Sequence, residues 1–145
     1  MATEARTERG CTFCRIAAGE APAHVVVDTE LTVGFLDVRP LFPGHTLLIP
    51  RAHHETLPDL PTDLLEPLFA DARRLARAMV EGLGAQGSFV AVNNRVSQSV
   101  PHLHVHVAPR TKGDGLKGFF WPRTRYRDED HAAEVASALR AALRR

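Results

Sequence analysis

His102-Leu103-His104-Val105-His106-Val107 alternates imidazole with aliphatic side chains over six positions. In a β-strand, residues i and i+2 share a face. The pattern therefore predicts a strand with three histidines on one side and Leu103, Val105 and Val107 buried on the other. Imidazole is the side chain whose unperturbed pKa lies nearest neutrality, so such a row can attack as a nucleophile, move protons or bind metal. A strand needing only a wet face would be served by Thr, Ser or Lys. One metal ion does not account for all three rings. Neighbouring His-x-His positions lie about 6.6–7 Å apart and the outer pair about 13 Å apart, so a single ion takes at most two of them in a regular strand. A division of labour is expected.

Outward from this stretch, five strands and two helices are expected. His24–Asp28 and Leu31–Asp37 read as strands joined by Asp28-Thr29-Glu30. Pro40 and Pro43-Gly44 break the chain, and His45–Ile49 resumes as a strand that ends at Pro50. Leu64, Leu68, Ala72, Leu75, Met79 and Leu83 recur at helical spacing, with Asp63 and Glu66 as an N-terminal capping signature. Ser88–Asn93 is the next strand, the histidine strand follows, and residues 111–127 are irregular. A last helix over Asp128–Arg144 is expected to bury Ala132, Val135, Ala136, Leu139 and Leu143. The class is α+β, an antiparallel sheet with two helices.

At 145 residues the chain suits one domain with a real core. Residues 1–10, MATEARTERG, are polar, expected to be disordered, and lack the apolar core of a signal peptide. No apolar run approaches the length of a membrane helix, so a cytoplasmic protein with no membrane partner is expected. A formal net charge of +1 gives no whole-chain signature of nucleic-acid binding. The basic and aromatic stretch 110–127, with Arg123, Arg125 and Trp121, is the one local exception; it reads more simply as a loop packing its aromatics on its own domain or on a partner subunit.

Cys11-x-x-Cys14 is by itself open among zinc ligation, redox chemistry and chance. No βαβ unit surrounds it, which disfavours a thioredoxin-like role. Asp37, at the end of an apolar strand, can accept ribose hydroxyls or cap a turn.

His102 to Ala108 fits His-φ-His-φ-His-φ-φ, where φ is apolar, and so resembles the histidine triad (HIT) family. Other pieces resemble that family in the same order: Cys11-Thr12-Phe13-Cys14-Arg15-Ile16-Ala17-Ala18-Gly19-Glu20, Phe35-Leu36-Asp37, Pro43-Gly44-His45-Thr46-Leu47-Leu48-Ile49-Pro50, Val92-Asn93-Asn94 and Gln98-Ser99-Val100-Pro101. The resemblance implies a HIT-like fold, an antiparallel sheet of about five strands with two helices in one domain over residues 11–145. It implies a nucleotide hydrolase or nucleotidyltransferase acting at the α-phosphorus of nucleoside phosphoramidates or dinucleoside polyphosphates, through a covalent nucleotidyl-histidine.

In that reading His104 is the nucleophile, and His106 and His45 donate to the phosphate. Asp37 holds the ribose, and Asn93 contacts ribose or phosphate. Gln98 resembles a phosphate contact in one branch of the family, and Ser99 a leaving-group contact in another. Ile16 and Phe35, with Leu36, are candidates for the base pocket, although core packing explains them nearly as well. A structural zinc would be closed by Cys11, Cys14, His53 and His102, with His54 as a neighbour that points away. A purine nucleotide is the implied substrate, and a homodimer, with the helix over 64–83 at its interface, the implied assembly. One departure is the short Arg95-Val96-Ser97 loop, with Ser97 where the family has Gly. Two further readings stay open: a catalytically idle nucleotide-binding or scaffold protein with a structural zinc, and a metal-dependent hydrolase with a catalytic ion on the triad.

Overall fold

The computed structural model describes residues 7–116 and 123–144. The chain falls into two compact units, divided between Lys112 and Gly113.

In the first unit the elements run α1 (Thr12–Ala17), β1 (Val25–Asp28), β2 (Thr32–Leu36), β3 (Thr46–Pro50), α2 (Thr62–Leu83), β4 (Gly87–Ala91) and β5 (Val105–Arg110). The five strands form one antiparallel sheet in the order β1-β2-β3-β5-β4. Strand β3 is central and buried along its whole length, which is why Leu47-Leu48-Ile49 is an unbroken apolar run rather than an alternation. Leu48 packs with Leu103, Val105 and Val107 against Leu68, Ala72, Leu75 and Met79 of α2. Leu47 and Ile49 turn to the opposite face, where they meet Phe13, Phe35 and the two cysteines. The sheet thus has α2 on one face and α1 on the other.

Three local differences from the expected elements have physical causes. Helix α2 begins at Thr62 behind Pro61, so Asp63 lies inside the first turn and no side chain caps the end. The Asp63/Glu66 capping pair does not form; Asp63 is left where a carboxylate favours the helix dipole. The histidine strand pairs only from Val105 onward. Before that point the chain bonds to the last residue of β3 and to the segment after it: the His102 ring donates to Pro50 O at 2.8 Å and Leu103 N–H to His54 O at 2.7 Å. The alternation nonetheless holds, with Leu103, Val105 and Val107 fully buried on the α2 side. The short helix α1 is additional to the two expected; its six residues are too few to show a helical period.

Two contacts fix the approach to the site. Arg51, just past β3, donates to Ala17 O at the end of α1 and to Thr29 O, and pairs with Asp28. Gly44, at φ 106°, begins the turn into β3; a Cβ there would run into the side chain of Leu83.

The second unit holds α3 (Glu129–Leu143), capped by Asp128, whose carboxylate accepts from His131 N–H at 2.8 Å. Of the residues expected to be buried on α3, Ala132, Val135 and Ala136 are half-buried, while Leu139 and Leu143 are well exposed. Among its described residues this unit has no second helix or strand. Of the 110–127 stretch, Lys117, Phe119, Phe120 and Trp121 lie outside the described residues. Among the described residues no helix is long and apolar enough to cross a membrane.

Candidate active site and metal centre

Cys11 caps α1 and Cys14 lies one turn later, so both sulfurs turn to the same side: Cys14 N–H donates to Cys11 Sγ at 3.4 Å. His53, three residues past β3, and His102 approach from the sheet. One ligand atom from each of Cys11, Cys14, His53 and His102 lies within 4.8 Å of all the others, in a buried cluster able to coordinate a metal ion. His102 Nδ1 is 3.4 Å from Cys11 Sγ and 3.5 Å from Cys14 Sγ, and His53 Nδ1 is 3.3 Å from Cys14 Sγ. The His102 tautomer is set by Pro50. Nε2–H donates to that carbonyl, which leaves the Nδ1 lone pair facing the sulfurs. Burial pushes the Cys14 thiol up to about 11, a cost that a divalent cation offsets by binding the thiolate. Two thiols, two imidazoles and a closed, buried arrangement suit tetrahedral zinc. Of the adjacent pair, His53 joins the cluster and His54 does not.

The second cluster lies farther along the same chain segment, and the hydrogen bonds assign its protons. His104 Nδ1–H donates to His102 O at 2.8 Å, so the free lone pair of the neutral ring is on Nε2. Leu41 N–H donates to His45 Nδ1 at 3.0 Å. Neutral His45 then carries its proton on Nε2 and donates it to His106 Nδ1, also at 3.0 Å. His106 is left with its proton on Nε2, a buried donor with no partner among the described residues. Burial lowers the pKa of all three rings. For His106, with His104 and His45 adding to the effect, it falls to about 4. All three are neutral near pH 7, as these proton assignments require.

His104 and His106 line a cavity of about 550 Å³ with Asp37, Ser99, Ile16 and Phe35. Asp37 serves two ends at once: Oδ1 accepts from Arg39 N–H at 2.9 Å as a turn cap, while Oδ2 stands 3.8 Å from His45 Nδ1. Its carboxylate thus both shapes the turn and faces the histidines. Asn93 and Gln98 are not among the residues lining this cavity. Gln98 is used internally, accepting from Arg95 N–H at 2.8 Å and donating to Glu55 O at 2.6 Å. That brace holds the short loop in which Arg95 and Ser97 adopt φ of 69° and 61°, where glycine would be unstrained.

Sequence reasoning did not single out Phe13. It sits between the two cysteines on α1, and its ring packs edge-on at 5.2 Å against both His104 and Phe35. The helix that sets Cys11 and Cys14 in the Cys/His cluster therefore also forms a wall of the cavity. The signal was present in Cys-x-x-Cys, since intervening residues of a helical turn must face elsewhere. Glu8 was likewise missed, placed among residues expected to be disordered; its Oε2 stands 2.6 Å from His53 Nε2.

The HIT domain family matches residues 18–113. An uncharacterized HIT-like protein of Methanocaldococcus jannaschii is 39% identical over 107 residues, covering 72% of this chain and 82% of that protein. An adenosine 5'-monophosphoramidase of Saccharomyces cerevisiae is 33% identical over 124 residues, 84% of this chain and 76% of that one. Among solved structures, a zinc-bound histidine triad family protein of Mycobacterium smegmatis superposes with a TM-score of 0.71 at 38% identity, over 89% of this chain and 97% of that one. Sheet order, the histidine-lined cavity and these matches together place the chain in the HIT family.

Proposed function

We propose that the protein is a nucleotide hydrolase or nucleotidyltransferase that works through a covalent nucleotidyl-His104. The observation that carries this reading is the proton assignment. His104 Nδ1–H is committed to a backbone carbonyl, which leaves Nε2 as a neutral nucleophile. His106 Nε2–H is a buried, unpartnered donor on a ring that lines the same cavity, and it can donate to the oxygen of a phosphate bound against that ring. In the first step the His104 Nε2 lone pair attacks the α-phosphorus. A P–N bond forms, and the bond to the leaving group breaks with its electron pair going to that group; an amine leaving group also takes up a proton, which the water of the second step gives back. The charge gained by the ring is stabilised through Nδ1–H and His102 O. In the second step water adds to phosphorus and the P–N bond breaks, returning neutral His104 and a nucleoside monophosphate; another acceptor in place of water makes the reaction a transfer.

Around this centre, Asp37 accepts the ribose hydroxyls, Ile16 and Phe35 sandwich a purine, and Ser99 donates to the leaving group. His45 acts on His106 rather than on phosphate, because both its ring nitrogens already have partners. The internal brace of Gln98 and the position of Asn93 outside the cavity lining give those two no direct role in this arrangement. Cys11, Cys14, His53 and His102 hold a structural zinc, whose four protein ligands leave no position for substrate. Leu65, Phe69 and Val80, exposed at helical spacing on α2, supply a homodimer face.

The similarity to an adenosine 5'-monophosphoramidase favours adenosine phosphoramidates as first substrates. Rapid mixing with an adenosine phosphoramidate bearing a fluorogenic amine should give a burst of amine equal to the enzyme concentration, with the nucleotidyl group recovered on His104 after alkaline quench. His104→Ala should abolish both while leaving the fold intact. Near-wild-type turnover by His104→Ala would refute the covalent mechanism.

A further inference from the structure

We infer that Glu8 is a positioning residue for the metal centre: its carboxylate takes the Nε2–H of His53, holds that ring in the tautomer that offers Nδ1 to the metal, and thereby sets how fast the metal leaves. The inference rests on the structural-metal reading above. Glu8 touches the cluster in three ways. Its N–H donates to Cys14 Sγ at 3.5 Å, and its carbonyl accepts from Cys11 N–H at 3.1 Å. Its Oε2 lies 2.6 Å from His53 Nε2. The two backbone contacts fix the residue against the cluster whatever its side chain, so the carboxylate is delivered to His53 rather than wandering there.

His53 Nε2 is buried and makes no in-line hydrogen bond, the carboxylate lying off the ring N–H axis. The Glu8 side chain is exposed and the His53 ring is buried, so the in-line bond is reached by rotating the Glu8 carboxylate. The difference between the two histidine ligands is informative. His102 has its distal nitrogen tied to Pro50 O, a backbone group that no side-chain change removes. His53 depends on a side chain for the same service. A metal-bound imidazole whose second N–H meets a carboxylate is both oriented and made more basic.

The surroundings show where exchange takes place. Glu8 and His53 share a polar cavity of about 380 Å³ with His54, Glu55, Asp59 and Arg95. Three carboxylates against one arginine give that cavity a net negative lining that favours a cation approaching or leaving on the His53 side. His102 by contrast is fully buried. Dissociation should therefore begin with His53, and Glu8 is the group that holds it.

The test uses the full zinc-loaded chain and follows transfer of zinc to a chromophoric chelator in excess. Glu8→Ala should accelerate release by about 10–100-fold. Glu8→Gln, whose amide oxygen still accepts from Nε2–H without the charge, should fall between Glu8→Ala and wild type. Glu55→Ala, which removes a carboxylate from the same cavity without contact to a ligand, should change the rate by much less. In cobalt-substituted protein the visible bands of Glu8→Ala should shift while total metal at saturation stays at one per chain, as expected if one imidazole is reoriented. Zinc bound and released from Glu8→Ala at the wild-type rate would overturn the role of Glu8 alone. Equal acceleration by Glu55→Ala would assign the effect to the cavity's charge and also overturn it. A wild-type protein that binds no zinc would instead overturn the metal reading on which it rests.

Discussion

His45→Ala should impair catalysis only through His106, and a double-mutant cycle measures this. The chain of donors runs from Leu41 N–H to His45 Nδ1 and from His45 Nε2–H to His106 Nδ1, each at 3.0 Å. Removing His45 leaves Leu41 N–H and His106 Nδ1 without these partners. It also lets the His106 proton move to Nδ1, where it no longer faces the cavity. Losing one buried hydrogen bond costs about 1–3 kcal/mol. If the loss is felt in the transition state, kcat/KM falls by about 5–150-fold, at tenfold per 1.36 kcal/mol. His106→Ala removes the phosphate donor itself and should cost about 100–1,000-fold.

The two losses share one donor, so the double variant should be no worse than His106→Ala. The coupling energy should equal the whole cost of His45→Ala, about 1–3 kcal/mol. The assay is kcat/KM on one adenosine phosphoramidate for the four proteins, with urea unfolding of each to confirm a folded ground state. Losses that multiply, leaving a coupling below about 0.5 kcal/mol, would show that His45 reaches the phosphate independently and that the proton assignment is wrong.

Other outcomes follow from the same geometry. Protein purified without chelator should carry about one zinc per chain, absent from Cys11→Ser/Cys14→Ser; losing a ligand held at 100 times its Kd costs about 2.7 kcal/mol of stability, and equal unfolding midpoints would remove the structural role. The folded pKa of His106, about 4, lies below its ordinary value of 6.5. The unfolded chain therefore takes up this proton first as pH falls, so the contribution to stability is complete above about 6.5 and is lost toward about 4. For the same reason kcat/KM should stay level from pH 8 to about 6.5 and decline only below it, whereas an acid limb centred at 7 or higher would contradict neutral rings in the free enzyme. Phe13→Ala, which empties the buried contact between α1, His104 and Phe35, should cost about 3–4 kcal/mol by urea unfolding of the zinc-loaded protein, and Phe13→Leu about 1.5 or less; a cost under 1 kcal/mol for Phe13→Ala would mean that α1 does not hold the cavity wall.

The amino-acid sequence by itself determined the α+β class, the five strands in their approximate places, the long helix and the family. It could do so because periodicity and motif spacing are local: the alternation in 102–107 and the apolar row from Leu64 to Leu83 depend only on residues near one another in the chain. It also supplied the four members of the Cys/His cluster, but through resemblance, since Cys11 and His102 are far apart in the chain and no spacing rule joins them. Tertiary structure decided what each imidazole can do. The three histidines look equivalent in the repeat. Pro50 O claims the distal nitrogen of His102, His102 O claims Nδ1 of His104, and His45 claims Nδ1 of His106. Pro50 and His45 come from other segments, so long-range contacts make the choice for His102 and His106, while for His104 it is made by the local backbone conformation that presents His102 O to the ring. The same reason hid Glu8, Phe13 and the internal brace of Gln98. Their roles come from what folds against them, and α1, too short to carry a period, is held in place by its cysteines and Arg51 rather than by its own pattern.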